Sequence, residues 1–247
     1  MHSLTLADHI IFGLLAFVLP LFAIFRVRPQ VSKIPQQTAL KIKLYWLNSG
    51  VLCFGGLTII VLWFLTGRAW SDMGWQLVSA EWFPEWVLIM LFFLLLYMFD
   101  TFLSWNELEE HPAASLLPKN WKEFAHFGSV VSLSAGFCEE IIFRGFLIAY
   151  LITLFEGSPG VVWIAIGLST IIFAVLHAYQ GWVAIVKIAL LTFMFGLIFV
   201  MTKSLWPVII LHFAVDFIGG FLSTVSAIIG RDDARLNSSN NNRNLEI

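Results

Sequence analysis

The chain has 247 residues, of which 59% are hydrophobic and only 12% are charged, and its formal net charge is −2. A soluble fold of this size cannot bury so much apolar surface, so a soluble enzyme and a disordered protein are both excluded. No run of basic residues is present, which excludes a nucleic-acid-binding protein. The long unbroken apolar runs are typical of helices rather than of a β-barrel, so the chain is predicted to be an all-α membrane protein with several spans.

Seven segments are predicted to be transmembrane helices, since crossing the hydrocarbon layer takes about 20 helical residues. The first three, at residues 8–25, 44–66 and 86–105, form an N-terminal three-span region, residues 1–105. Residues 106–126 are polar and predict a cytoplasmic loop with at most a short interfacial helix. The last four spans, at residues 127–155, 159–179, 181–202 and 205–230, have short connections and are predicted to form one compact bundle, residues 127–230. Residues 231–247 are rich in Asn and predict a polar, disordered C-terminal tail.

Positive charge is distributed unevenly between the two sides of this seven-span arrangement. One side holds only Arg68 and Lys203. Because cytoplasmic loops carry the excess of Lys and Arg, the N-terminus is predicted to lie outside and the C-terminus in the cytoplasm, in a plasma or bacterial inner membrane. No basic residue precedes the first span and no small-residue cleavage site follows it, so it is predicted to be retained rather than cleaved as a signal peptide. The basic residues on the predicted cytoplasmic side are Arg26, Arg28, Lys33, Lys41, Lys43, Lys119, Lys122, Arg231, Arg235 and Arg243.

Four residues inside the spans have an ordinary structural interpretation. Cys53 and Cys138 each lie in an apolar run and are predicted to be small buried side chains, without a disulfide framework or a zinc site. Asp100 and Lys187 lie near span ends, where their charges are predicted to reach the interface.

The fourth span contains ionisable residues at its centre, which is the strongest functional signal in the chain. Glu139 and Glu140 are adjacent, and Arg144 follows Glu140 by four residues. That spacing puts Glu140 and Arg144 on one helical face, where they can pair. Glu139, about 100° around the helix, is left without a partner on its own helix, and a carboxylate in such a place is suited to act as a proton acceptor and donor. A structural ion-pair network that joins helices is the alternative.

Two further spans carry polar residues that extend this cluster. The fifth span ends near His177, and the seventh contains His212 and Asp216 on one face, four residues apart. At about 1.5 Å of rise per residue, Glu139 and His212 lie at similar depths, whereas His177 lies nearer the cytoplasm. Together the three spans supply a base for water, imidazoles and an Arg that orders the carboxylates, which predicts a hydrolytic site.

In their order along the chain these residues resemble the motifs of the CPBP family of intramembrane proteases, which includes the type II CAAX prenyl proteases and bacterial relatives linked to bacteriocin processing and self-immunity. Glu139, Glu140 and Arg144 fit the first motif, Phe173 and His177 the second, and His212 and Asp216 the third, after a Ser-Leu-Trp-Pro stretch at 204–207. The resemblance covers residues 124–230.

This resemblance implies an endopeptidase that hydrolyses a peptide or protein substrate at the lipid bilayer. It implies that Glu139 activates water, that His177 holds that water, and that Glu140 and Arg144 order the site. His212 and Asp216 would face the scissile carbonyl. Some members have Asn where this chain has Asp216, and an ionised Asp repels an oxyanion, so Asp216 would be protonated, orient His212 or bind a metal.

The resemblance leaves the use of a metal open. A zinc site takes three protein ligands and a water, which Glu139, His177 and His212 could supply. A metal-free site would use His212 and its partner as an oxyanion hole instead. Two other functions compete with a protease. One is a proton-coupled transporter in which the carboxylates form a relay, although the sequence shows no inverted repeat of the kind common in transporters. The other is a non-catalytic scaffold or immunity protein with the same fold.

Overall fold

The computed structural model describes residues 3–27, 37–81, 83–103 and 112–244. In these ranges the protein is helical and contains no strand, which confirms the predicted all-α fold. The seven helices of the described residues are α1 (Leu6–Val27), α2 (Thr38–Leu65), α3 (Phe83–Leu103), α4 (residues 121–154), α5 (Val161–Leu176), α6 (Trp182–Thr202) and α7 (Trp206–Asn244).

Helix α4 is the central helix of the protein. All eight residues of Ile141–Ile148 are buried, and eight consecutive residues cover the whole circumference of a helix. Much of α4 is wound in wide π-helical turns, at Phe127–Ser132, Ala135–Glu139 and Ile141–Ile148. The polar residues of α4 are therefore surrounded by other helices rather than by lipid, which is the usual place for charges within a membrane protein.

Helices α2 and α7 approach α4 closely at glycine residues. A Cβ atom added at Gly56 of α2 would lie 3.2 Å from Cys138 of α4, and one added at Gly136 of α4 would lie 2.9 Å from the backbone nitrogen of Phe213 in α7. Small residues let transmembrane helices come close together. On another side, the Ser169 hydroxyl of α5 donates a hydrogen bond to the carbonyl of Phe143, at 3.3 Å.

Two of the predicted boundaries differ from the structure. Helix α4 begins at Trp121, six residues before the predicted span, because the Asn120 side chain accepts a hydrogen bond from the Glu123 backbone and caps the helix. At the other end of the bundle, the apolar segment Trp206–Arg231 agrees with the predicted span, but α7 continues as a helix to Asn244, where the sequence predicted a disordered tail. No Gly or Pro follows Gly230 to interrupt the helix.

Four helical segments of the described residues are long and apolar enough to cross a membrane: Leu6–Val27, Thr38–Leu65, Trp182–Thr202 and Trp206–Arg231. The apolar parts of α3, Phe83–Phe99, and of α5, Val161–Leu176, are shorter. Helix α4 is long but contains the charges described above. The protein is thus a helical membrane protein, and the seven-span arrangement stays a prediction.

Two buried ion pairs connect the N-terminal helices to the rest of the protein. Asp8 of α1 contacts Arg68 at 2.5 Å, and Lys41 of α2 contacts Glu123 of α4 at 2.7 Å. The sequence placed Arg68 and Lys41 among the loop charges that mark the two sides of the membrane, so their burial was not predicted. The pairing removes the cost of burying each charge alone.

The predictions for the two cysteines can be compared with the structure, whereas several other predictions concern residues that it does not describe. Cys138 is buried as predicted, but Cys53 is exposed, and both are free thiols whose sulfur atoms lie 3.8 Å apart. Residues 28–36, which contain Arg28 and Lys33, and residues 104–111 of the predicted loop lie outside the described residues, as does the side chain of Asp100.

Candidate active site

A fixed trio of polar side chains forms the base of the site. Glu140 and Arg144 are fully buried, and Arg144 Nη1 donates to Glu140 Oε1 at 2.9 Å. The same oxygen accepts a hydrogen bond from Nδ1 of His212, at 2.7 Å. Because the carboxylate is an acceptor, Nδ1 carries the hydrogen, and Nε2 of His212 is left to face the rest of the site.

Arg144 is held by more than its ion pair. Its Nη2 atom donates to the backbone carbonyl of Thr192 in α6, at 3.3 Å. The guanidinium also lies over the rings of Phe173 and Phe195, 5.2 and 5.4 Å from their centroids. Such cation–π contacts stabilise a desolvated cation. Arg144 therefore joins α4 to both α5 and α6, and it fixes the orientation of Glu140.

Glu139 and Asp216 flank the free nitrogen of His212. Glu139 Oε2 lies 3.7 Å and Asp216 Oδ2 lies 3.8 Å from His212 Nε2. Both distances exceed a direct hydrogen bond. The Glu139 side chain is 12% exposed, whereas that of Glu140 is completely buried. Of the two adjacent glutamates, Glu140 is therefore locked in place and Glu139 is the one that a small molecule can reach.

The two glutamates meet the same histidine at different ring nitrogens, Glu140 at Nδ1 (2.7 Å) and Glu139 at Nε2 (3.7 Å). The sequence predicted that Glu139 points about 100° away from Glu140, as in an α-helix. A π-helical turn has more residues per turn, so the angle between successive residues is smaller. Glu139 ends one such turn and Glu140 precedes the next, and both carboxyl groups reach His212.

His177 lies beside the cluster, just beyond the last residue of α5. Its Nδ1 atom donates to the carbonyl of Phe173 at 2.9 Å, which leaves Nε2 of the neutral ring as a hydrogen-bond acceptor. The Phe173 ring stacks on His177 at 4.5 Å and contacts the ring of His212 at 6.3 Å. His177 is therefore linked to His212 through the ring of Phe173, so the depth difference counted from the sequence does not separate it from the site. That count treated all spans as beginning at the same level.

The six residues singled out from the sequence therefore form one connected group. They are Glu139, Glu140, Arg144, His177, His212 and Asp216. Sequence reasoning missed three parts of the site: the backbone carbonyl of Thr192, the ring of Phe195, and Tyr179, whose ring lies 5.9 Å from that of His177. Only Tyr179 had a signal in the sequence, since it follows the His177 motif by two residues.

The sequence left a metal site at this cluster open. The predicted ligands were Glu139, His177 and His212, but in the part of the chain that the structure describes, no three His, Cys, Asp or Glu side chains are grouped to hold a metal. Nδ1 of each histidine is engaged, His212 by Glu140 and His177 by a backbone carbonyl, so each ring could bind a metal only through Nε2. The metal set stays a prediction of the sequence.

Fold and site together define a helical membrane protein with paired glutamates, an arginine and histidines in its central bundle. Residues 121–218 match the family model of the type II CAAX prenyl endopeptidase Rce1-like proteins. The match includes all six site residues and confirms, over this part of the chain, the resemblance predicted from the motifs. No curated protein and no solved structure is significantly similar to the chain.

Proposed function

We propose that the protein is an intramembrane endopeptidase in which Glu139 activates a water molecule for attack on a peptide carbonyl. The observation that carries this proposal is the position of Glu139, accessible and 3.7 Å from a histidine whose orientation is fixed by the buried Glu140–Arg144 pair. This separation is too long for a direct hydrogen bond, which leaves Glu139 free to accept a hydrogen bond from a water molecule. In this proposal Nε2 of His177 accepts the second hydrogen bond of that water.

The reaction follows from this geometry. Glu139 takes a proton as the water oxygen bonds to the carbonyl carbon, and the carbonyl π electrons move onto the oxygen. When the C–O double bond re-forms, the C–N bond breaks and Glu139 returns its proton to the leaving amine. Glu140 and Arg144 do not exchange protons in this scheme. They hold His212 so that its Nε2 atom faces the reacting groups.

The test of this proposal is cleavage by the purified protein in proteoliposomes. The probes are a fluorogenic farnesylated CAAX peptide and, separately, a library of membrane-associated peptides analysed by mass spectrometry. We expect Glu139→Gln to lower kcat by at least about 10²-fold, since a general base contributes 10²–10⁴-fold. The control is Glu85→Gln, because Glu85 lies in the first turn of α3 and is exposed; it should cleave like the wild type.

The same experiment separates the competing functions. Cleavage that persists in Glu139→Gln would contradict the mechanism. Failure of the wild type to cleave any peptide would contradict the proposed peptidase activity. In that case, proton-driven uptake would indicate a transporter. A cellular effect that Glu139→Gln does not change would indicate a scaffold or immunity protein.

We propose that the reaction does not need a metal, because no three His, Cys, Asp or Glu side chains of the described residues are grouped to hold one. Treatment with 1,10-phenanthroline should leave the cleavage rate unchanged, and elemental analysis should find less than one zinc per chain. Loss of activity that added zinc restores would overturn this part of the proposal in favour of a zinc site at Glu139, His177 and His212.

The orientation with the N-terminus outside and the C-terminus in the cytoplasm is also proposed. It is supported by contacts that gather basic residues at one end of the bundle: Lys41 of α2 donates to the Leu117 carbonyl, and Arg231 of α7 contacts the Lys119 carbonyl. Reporter fusions at the two termini would test it. A C-terminal fusion that is active outside the cytoplasm would contradict it.

A further inference from the structure

The proposed reaction produces a negative oxygen, and the site as described so far has few groups to stabilise it. His212 Nε2 lies between two carboxylates, with Glu139 at 3.7 Å and Asp216 at 3.8 Å. An ionised carboxylate accepts hydrogen bonds and donates none, so Asp216 in that form would repel the oxyanion. Effective stabilisation of an oxyanion needs preorganised donors at hydrogen-bond distance from it. A neutral hydrogen-bond donor on another helix or turn would supply the hydrogen bond that an ionised Asp216 cannot donate.

Tyr179 lies in a suitable place for this task. It belongs to the short 3₁₀ turn Ala178–Gln180, which follows His177 directly. Its ring is 5.9 Å from the His177 ring, at an interplanar angle of 31°. The His177 ring in turn stacks on Phe173, which contacts the ring of His212. Tyr179 therefore belongs to the row of rings that leads to His212.

The hydrogen bonding of Tyr179 leaves its proton available. Gln180 Nε2 donates to the Tyr179 hydroxyl oxygen at 3.2 Å. This bond uses a lone pair of the oxygen and not its hydrogen. It also directs the hydroxyl, because an oxygen that accepts from Gln180 must turn its O–H bond elsewhere. A phenol remains neutral near physiological pH and can therefore donate to an anion without a proton leaving it.

We propose that Tyr179 is a further catalytic residue, whose hydroxyl donates a hydrogen bond to the oxyanion that forms when water adds to the scissile carbonyl. The inference rests on the proposed peptidase function. Tyr179 keeps its proton throughout: the bond between the water oxygen and the carbonyl carbon forms as the π electrons move to oxygen, and Tyr179 binds that oxygen until the C–N bond breaks. A protonated His212, in which both ring nitrogens are donors, and Tyr179 would then bind the oxyanion from two different helical segments.

The experiment compares Tyr179→Phe with wild type on the fluorogenic farnesylated CAAX peptide and on any library peptide that the wild type cleaves. Removal of one oxyanion donor typically lowers kcat by 10²–10³-fold, so we expect a fall of about 10²-fold in kcat with KM nearly unchanged. The matched control is Tyr150→Phe, which removes a hydroxyl that is hydrogen-bonded to His9 Nδ1 at 2.8 Å on another part of α4. That variant should keep the wild-type kcat.

A second readout distinguishes catalysis from structure. A peptidyl phosphonate, which carries negative charge where the oxyanion forms, should bind Tyr179→Phe more weakly by about the factor lost in kcat. The matching uncharged reduced-amide peptide should bind both proteins equally. A Tyr179→Phe protein that cleaves at the wild-type rate would overturn the role of Tyr179 and leave the peptidase intact, as would equal loss of affinity for both inhibitors. A wild type that cleaves nothing would overturn the peptidase and this inference with it.

Discussion

At the scale of single residues, the site depends on a charge that water cannot reach. Arg144 is 1% exposed and Glu140 is not exposed at all. Removing one partner from a buried ion pair is far more costly than removing both, because it leaves a buried charge uncompensated. Arg144 also contacts two aromatic rings and the carbonyl of Thr192, so its side chain contributes packing as well as charge.

We therefore predict that Arg144→Met destabilises the protein by roughly 3–5 kcal/mol, as the loss of one partner of a buried pair typically does. The double variant Arg144→Met with Glu140→Gln should recover a substantial part of this loss, since no unpaired charge remains. Thermal unfolding in detergent would measure both effects. If the double variant is less stable than Arg144→Met, the ion pair is not the main source of the stability that Arg144 provides.

At the scale of the helices, the geometry of the candidate site depends on how closely α4 and α7 approach. Gly136 lies one turn before Glu139 and Glu140, and a Cβ atom there would come within 2.9 Å of the Phe213 nitrogen and 3.1 Å of the Ile209 carbonyl oxygen. Both atoms belong to the backbone and cannot rotate away as a side chain can. His212 lies between these two positions of α7, so any separation of the helices at Gly136 moves His212 from the glutamates.

We predict that Gly136→Ala lowers both stability and kcat, and that the loss of kcat reaches about 10²-fold, since a displacement of about 1 Å in an active site can have that effect. The matched control is Gly167→Ala in α5, where a Cβ atom would meet nothing within 4 Å. That control should be neutral or slightly stabilising, because Ala favours a helix over Gly by up to about 1 kcal/mol. Equal behaviour of the two variants would show that close approach at Gly136 is not required.

The helices and the six site residues could be predicted because their signals are local. Apolar runs of sufficient length predicted the positions of all seven helices, and isolated polar residues within or at the end of such runs marked Glu139, Glu140, Arg144, His177, His212 and Asp216. The π-helical turns of α4 have no comparable signal in the sequence. The burial of Lys41 and Arg68 also depends on partners distant in sequence, Glu123 and Asp8, and a basic residue near a span end is normally read as a loop charge.

At the scale of the whole molecule, the first helices and the protease-like region are parts of one structure rather than independent units. The Lys41–Glu123 pair joins α2 to the beginning of α4, and the Ser134 hydroxyl donates to that of Ser49 at 2.8 Å further along the same two helices. Glu123 also accepts hydrogen bonds from Thr38 of α2, at 2.7 Å, and from the backbone nitrogen of Lys119, at 2.9 Å. The entry of the chain into α4 is therefore fixed by α2.

This network predicts a dependence of stability on pH. Glu123 precedes the predicted membrane span, and although burial alone would raise its pKa, the hydrogen bonds from Lys41, Thr38 and Lys119 together hold that pKa below the usual value of 4.5. A carboxyl group with a lowered pKa in the folded state stabilises the protein fully above its unfolded pKa, and this contribution is lost as the pH falls through the folded pKa. The free energy of unfolding should therefore decrease below about pH 4.5.

Glu123→Gln isolates this contribution. At pH 7 the variant should be less stable by roughly 3 kcal/mol, because Lys41 remains buried without a counter-charge. Its free energy of unfolding should fall less steeply with acidification than that of the wild type, since the group that binds the extra proton on unfolding is gone. Denaturant titrations in detergent at several pH values would measure both effects, with the exposed Glu85→Gln as the control that keeps the wild-type slope. An unchanged slope in Glu123→Gln would mean that the acid sensitivity arises elsewhere and that the connection of α2 to α4 does not depend on this carboxylate.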